Sequence, residues 1–104
     1  MKYIVDIDGT ICTTTNGDYA NAEPYLSRIG HFNMLYDAGN EVHYWTARGT
    51  VTGKDWCELT LTQLNDWGVK YSSVKTGKPA YDIWIDDKAF NVGTYFNENT
   101  TNRI

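Results

Sequence analysis

The stretch Val5-Asp6-Ile7-Asp8-Gly9-Thr10 constrains this chain more than any other. An apolar run, Tyr3-Ile4-Val5, leads into it and predicts a buried strand. Strand side chains alternate in direction, so Asp6 and Asp8 can project from the same side of the strand's end. Gly9 lets the backbone turn away at once. Two carboxylates placed this way repel unless a cation, a proton or a hydrogen-bond donor sits between them.

The remaining segments predict how such an end is used. At 104 residues the chain is one domain, 1–104, with 97–104 as a polar tail. Thr13 to Asn21 is polar and aperiodic and predicts a loop. Pro24 suits the first turn of a helix whose apolar face is Leu26, Ile29, Phe32, Leu35 and Tyr36, with Gly39 as its stop. Gly30 inside that helix predicts a close backbone contact. Glu41 to Thr46 predicts a second strand, bulky on both faces as in a sheet covered by helices on both sides. Asp55 can cap a helix running to about Trp67, with Cys57, Leu61 and Leu64 inward. Val69 to Val74 predicts a short strand, and Tyr81 to Asp86 a strong one ending in Asp86 and Asp87. The repeating strand-helix-strand order predicts right-handed crossovers and a mostly parallel, Rossmann-like sheet.

Ligands of such sheets bind at the carboxyl ends of the strands. Asp6, Asp8, Thr46, Asp86 and Asp87 are all expected there, with Lys78 entering from the loop before the last strand. Four carboxylates offering only oxygen suit Mg²⁺. A lysine and a hydroxyl beside that ion suit phosphoryl oxygens. One carboxylate can then act as nucleophile, and another two residues on as general acid and base. Lys78 is preferred to Lys75 because Gly77 and Pro79 fix it in a turn. His31, His43 and the four tryptophans are read as structural.

Val5 to Thr10, Tyr44-Trp45-Thr46-Ala47-Arg48, Gly77-Lys78-Pro79 and Ile85-Asp86-Asp87-Lys88 resemble, in order and spacing, the four motifs of haloacid dehalogenase (HAD) superfamily phosphohydrolases. The resemblance spans residues 3 to about 91 and is nearest to small phosphatases of capsule or lipopolysaccharide biosynthesis. It implies a three-layer fold, here without a cap domain because the intervals between motifs are too short for one. Asp6 would be nucleophile and metal ligand. Asp8 would be the acid/base, its carbonyl also on the metal. Thr46 and Lys78 would bind the phosphoryl group. Asp86 and Asp87 would hold Mg²⁺, one directly and the other through water. Arg48, without a role in those motifs, is the candidate to reach the substrate. The implied substrate is a small phosphorylated one: a sugar phosphate, a nucleotide or a phosphorylated polymer end. A receiver-like phosphoacceptor module and a catalytically silent Mg²⁺ or phosphate-binding domain are the competing readings. A receiver, however, would place its acceptor after a middle strand and its lysine after the last.

Charge and composition bound the partners. A net charge of −4 disfavours nucleic acid held by electrostatics alone. Cys12 and Cys57 form no CxxC, and free thiols suit a reducing, cytoplasmic setting. Asp6 interrupts the first apolar run, so neither a secretion signal nor a membrane segment is expected, and the sequon at Asn99 reads as coincidence.

Overall fold

A computed structural model describes residues 1–97. The expected tail and the sequon fall almost entirely in 98–104, outside the described residues. Three strands, β1 (Lys2–Val5), β2 (Glu41–Trp45) and β3 (Ser73–Lys75), form one parallel sheet in that order. Tyr3 lies beside Val42 and Val5 beside Tyr44; Tyr44 in turn lies beside Val74. Helix α1 (Leu26–Asp37) links β1 to β2, and α2 (Cys57–Asp66) links β2 to β3. A single turn, α3 (Val92–Tyr95), follows a long irregular stretch. This is the α/β class with a parallel sheet. Among the described residues no inserted domain interrupts it: the first loop holds only a one-turn 3₁₀ helix, Tyr19–Asn21. Among the described residues no helix is long and apolar enough to cross a membrane.

Two crossovers of the same hand, stepping the same way along a sheet, place their helices on the same face. The core shows this arrangement. Val5, Val42 and Tyr44 of the sheet pack with Ile29 and Phe32 of α1 and Leu64 of α2. Tyr95 and Phe96 around α3 also dock there, each within 6 Å of the Phe32 ring. The other face of the sheet carries Ile4, His43 and Trp45, exposed or half-buried, and no described helix covers it. The expected helices on both faces are therefore corrected: the described chain has two layers.

That one-sidedness explains the corrections within the helices. A helix resting on three strands from one side buries a narrow stripe. In α1 the stripe is Ile29 and Phe32; Leu26 and Tyr36 are exposed. In α2 it is Thr60, Gln63 and Leu64, while Cys57 and Leu61 are exposed. Gly30 makes no close approach, since a Cβ there would meet nothing within 4 Å. Pro24 lies before α1, because Ile11 to Thr13 turns back and pairs with 23–25: Thr13 N donates to Glu23 O and Tyr25 N to Ile11 O. Trp56, not Asp55, is the N-cap of α2; Asp55 lies one residue earlier, and its carboxylate accepts from Cys57 N at 2.9 Å. Gly39 stops α1 at a φ of 95°.

The largest correction concerns Tyr81 to Asp86. It is not a strand, and residues 79–91 are exposed throughout. Ile83 and Ile85 are 80% and 93% exposed. Trp84 alone finds a partner across the sheet, meeting Trp45 edge to face at 6.1 Å. A parallel strand is stable only when hydrogen-bonded to a neighbour and covered on its faces, and the described chain gives this run neither.

The packing of α2 yields a direct test. Leu64→Ala should cost about 3 kcal/mol, the usual loss for emptying a buried leucine site. Leu61→Ala should cost under about 0.5 kcal/mol, as at an ordinary surface position. Urea denaturation of both variants measures this, and equal losses would contradict the stripe described.

Candidate active site

The chain leaves β1 in a tight turn that presents its acids at the carboxyl end of the sheet. The amides of Thr10 and Ile11 both donate to the Ile7 carbonyl, at 3.0 and 2.9 Å. Gly9 takes a φ of 82°, a conformation glycine adopts without strain, and its amide donates to the Cys12 carbonyl. Asp6 and Asp8 then face the same cleft, of about 370 Å³. Thr14, Thr15 and Tyr19 wall one side of it, and Pro79 and Tyr81 the other.

Asp6 and Lys78 form an ion pair in this cleft. Gly77, at a φ of 82°, turns the chain so that Lys78 N donates to the Thr46 carbonyl at 3.1 Å. The Lys78 ammonium then sits 3.5 Å from Asp6 Oδ1, while its Nζ lies 5.3 Å from the centre of the Tyr81 ring. Lys75, by contrast, is an exposed residue of β3 in register with Trp45. Burial raises the pKa of the Asp6 carboxyl and is the largest influence on it. Lys78 and the Ile7 amide pull it back, and the Asp8 charge adds a smaller push upward.

Asp8 is held by Arg48. Nε donates to Oδ2 and Nη2 to Oδ1, both at 2.9 Å, a two-pronged pair. Arg48 itself is 3% exposed. Its remaining nitrogen, Nη1, donates to Thr60 Oγ1 at 3.1 Å and Gln63 Oε1 at 2.7 Å, both on α2. Tyr19 lies face-on to the guanidinium at 4.7 Å, and the Gln63 amide reaches back to the Tyr19 carbonyl. Cys12 adds a weak thiol contact to Asp8 at 3.6 Å. Burial, and next the Asp8 charge, push that thiol up to about 12, so it stays protonated. The expected reach of Arg48 toward a substrate is thus corrected. Every one of its nitrogens is already committed to a side chain of the chain itself.

Thr46 also departs from expectation. It follows β2 directly, but it is 1% exposed and does not line the cleft. Its hydroxyl accepts the Arg48 amide at 3.1 Å, bracing the turn that aims the guanidinium. Asp86 and Asp87 lie in the exposed 79–91 stretch, away from Asp6 and Asp8. Asp86 Oδ1 accepts from Lys88 N at 3.2 Å. That hydrogen bond leads those that lower its pKa; bonds from the Asp87 and Trp84 side chains follow. Among the described residues no three His, Cys, Asp or Glu side chains come together as a metal site. The expected gathering of four carboxylates is therefore not formed within one described chain.

A second hollow, of about 390 Å³, lies on the far side of Arg48, between the 49–57 loop and Thr76-Gly77. Asp55 is its sole acid, and that carboxylate already accepts from Cys57 N. His31 and His43 are tied to Tyr95 and to Ser73 and Glu41, outside the cleft. Sequence reasoning missed Tyr19, Thr60 and Gln63. Each is an ordinary loop or helix residue by spacing, and only a buried guanidinium beside it makes it part of the site.

No protein-family model matches the chain, and no curated protein matches it. It is similar to the crystal structure of a target protein from Vibrio cholerae, with a TM-score of 0.83 and 27% identity over 97% of this chain and 91% of that one.

Removing one member of a buried pair strands the other. Arg48→Met should therefore cost about 3 kcal/mol, because Asp8, Thr60 and Gln63 all lose a partner. Adding Asp8→Asn should recover part of that loss. A double-mutant cycle in urea measures it, and purely additive losses would mean that the pair is not coupled.

Proposed function

We propose that this chain is a phosphomonoester hydrolase of the haloacid dehalogenase type. The observation that carries the reading is the Asp6–Lys78 pair at 3.5 Å in an open cleft, with a second, rigidly held carboxylate two residues on. A carboxylate beside a fixed ammonium is the minimum needed to attack and hold a phosphoryl group.

In this reading an Asp6 oxygen attacks phosphorus and the bond to the leaving oxygen breaks. Asp8, protonated once one of its two Arg48 bonds opens, gives that oxygen its proton. Asp8, now a carboxylate, takes a proton from water as the water attacks the aspartyl-phosphate, releasing phosphate and regenerating Asp6. Lys78 offsets the charge on the phosphoryl oxygens in both steps. Arg48 positions Asp8: the guanidinium bond that stays closed keeps the acid/base turned toward the leaving group. Thr46 braces that arrangement from beneath. The cleft walls offer hydroxyls from Thr14 and Thr15 and rings from Tyr19 and Tyr81. Such a lining suits a small phosphorylated substrate bearing a sugar or a ring.

Mg²⁺ belongs to the same reading, but one described chain does not assemble its site. Asp6 brings a carboxylate and Asp8 a carbonyl, while Asp86 and Asp87 lie elsewhere. Metal dependence is a separate expectation: oxygen-only donors suit Mg²⁺, and EDTA should abolish turnover that Mg²⁺ restores.

Two comparisons test the assignments. Lys78→Ala should lower kcat/KM for p-nitrophenyl phosphate by at least about 100-fold, the scale for losing one charge-stabilising donor; Lys75→Ala should change it little. Equal effects would remove Lys78 from the site. In rapid mixing, Asp8→Asn should release a burst of up to one p-nitrophenolate per site and then stall, because its intermediate is no longer hydrolysed. Asp6→Asn should release none. A burst from Asp6→Asn would overturn the nucleophile.

A further inference from the structure

Two features of the described chain are left unmatched, and they match each other. The first is the outer edge of β1. It is the end strand of the sheet, and none of the backbone hydrogen bonds among the described residues joins it to 79–91. Ile4 on that strand is 59% exposed. An open edge beside exposed apolar side chains is a template for another strand. The second is the arm 79–91, whose Ile83-Trp84-Ile85 run has strand-forming composition and presents Ile83, Ile85 and Phe90 to solvent. Apolar exposure of this density marks an interaction surface.

From these we infer that two copies of the chain exchange arms, residues 83–86 of each lying as a parallel strand along β1 of the other. The chain holds its own arm off its own edge. Lys78 anchors the start at Thr46 and Asp6, Trp84 lies against Trp45 on the sheet's open face, and Tyr95 and Phe96 seat the end on Phe32. A second copy offers both halves of the match at once, as a two-fold interface requires.

The sequences also fit in register. Setting Asp86 beside Asp6 sets Ile85 beside Val5, Trp84 beside Ile4 and Ile83 beside Tyr3. Side chains of paired strands share faces. Ile83 and Ile85 then join the core face with Tyr3 and Val5, and Trp84 covers Ile4 on the open face. The same register delivers Asp86 and Asp87 to the carboxyl end of the partner's β1, where Asp6 and Asp8 lack further carboxylates. Each cleft would then draw its last two acids from the other chain. This sharing of acids rests on the phosphatase reading; the exchange of arms does not.

The test reads mass and cross-linking, without activity. In a Cys57→Ser background, which removes the exposed thiol, Ile4→Cys protein is mixed with Trp84→Cys protein, unfolded and refolded together, and mildly oxidised. The expected product is a disulfide-linked pair carrying one chain of each kind. Sedimentation of the unmodified protein should give the mass of two 11.9 kDa chains. Ile85→Asp should sediment as one chain with unchanged circular dichroism. A monomer at every concentration would overturn the exchange. So would a dimer that survives Ile85→Asp, or a disulfide that forms only within the Ile4→Cys/Trp84→Cys double variant. Should the cross-link form while no phosphatase activity is found, the exchange stands and the functional reading falls.

Discussion

The buried pair between Asp8 and Arg48 is the interaction on which the rest of the cleft depends. It joins the turn after β1 to the turn after β2, and through Thr60 and Gln63 it reaches α2. A guanidinium this deep is tolerable only with its donors satisfied. Two go to one carboxylate, one serves two α2 acceptors, and Tyr19 covers the flat face. The first loop is thereby drawn over the site, because Tyr19 is fixed at both its ring and its carbonyl. What looks like a polar loop around the entrance is one wall of a charge-stabilised core.

Asp6 stands in contrast to Asp8, though both belong to one strand end. Asp8 has both oxygens committed; Asp6 has a single cation at 3.5 Å and a free side facing the cleft. Burial lifts the Asp6 pKa while Lys78 restrains the rise. A half-desolvated carboxylate with one cation suits attack on phosphorus, and a rigidly oriented one suits proton transfer. In the proposed mechanism the division of labour between the acids follows from what each touches.

The one-sided sheet carries a cost that shapes the rest of the molecule. With α1, α2 and α3 all packed on one face, the other face and the outer edge of β1 keep apolar groups in water. Each such side chain forgoes roughly 1.5–3 kcal/mol of burial. An arm rich in isoleucine and aromatic residues in the same chain is the chemistry that would recover it. In the proposed exchange, completing the sheet and completing the acidic site are one event.

Apolar runs made β1 and β2 legible in the sequence and helical spacing of apolar residues made both long helices legible, since short-range pattern fixes which segments can bury a face. Glycine at positive φ, as at Gly9 and Gly77, was legible for the same local reason. The residues that meet at the cleft edge, Asp6, Asp8 and Lys78, follow from the strand-end rule for parallel sheets. The sequence by itself could not decide which face of α2 turned inward, because Thr60 and Gln63 are buried by their bonds to Arg48 and not by hydrophobicity. Nor could it decide that Thr46 would support the site from behind, or that Arg48 would clamp Asp8. Both depend on two turns, some forty residues apart, meeting at the end of the sheet. The apolar run at Ile83 to Ile85 shows the limit most plainly. Composition determined that it wants a neighbouring strand, and only the tertiary structure decided that its own chain holds it away from one, because backbone pairing is settled by what lies alongside.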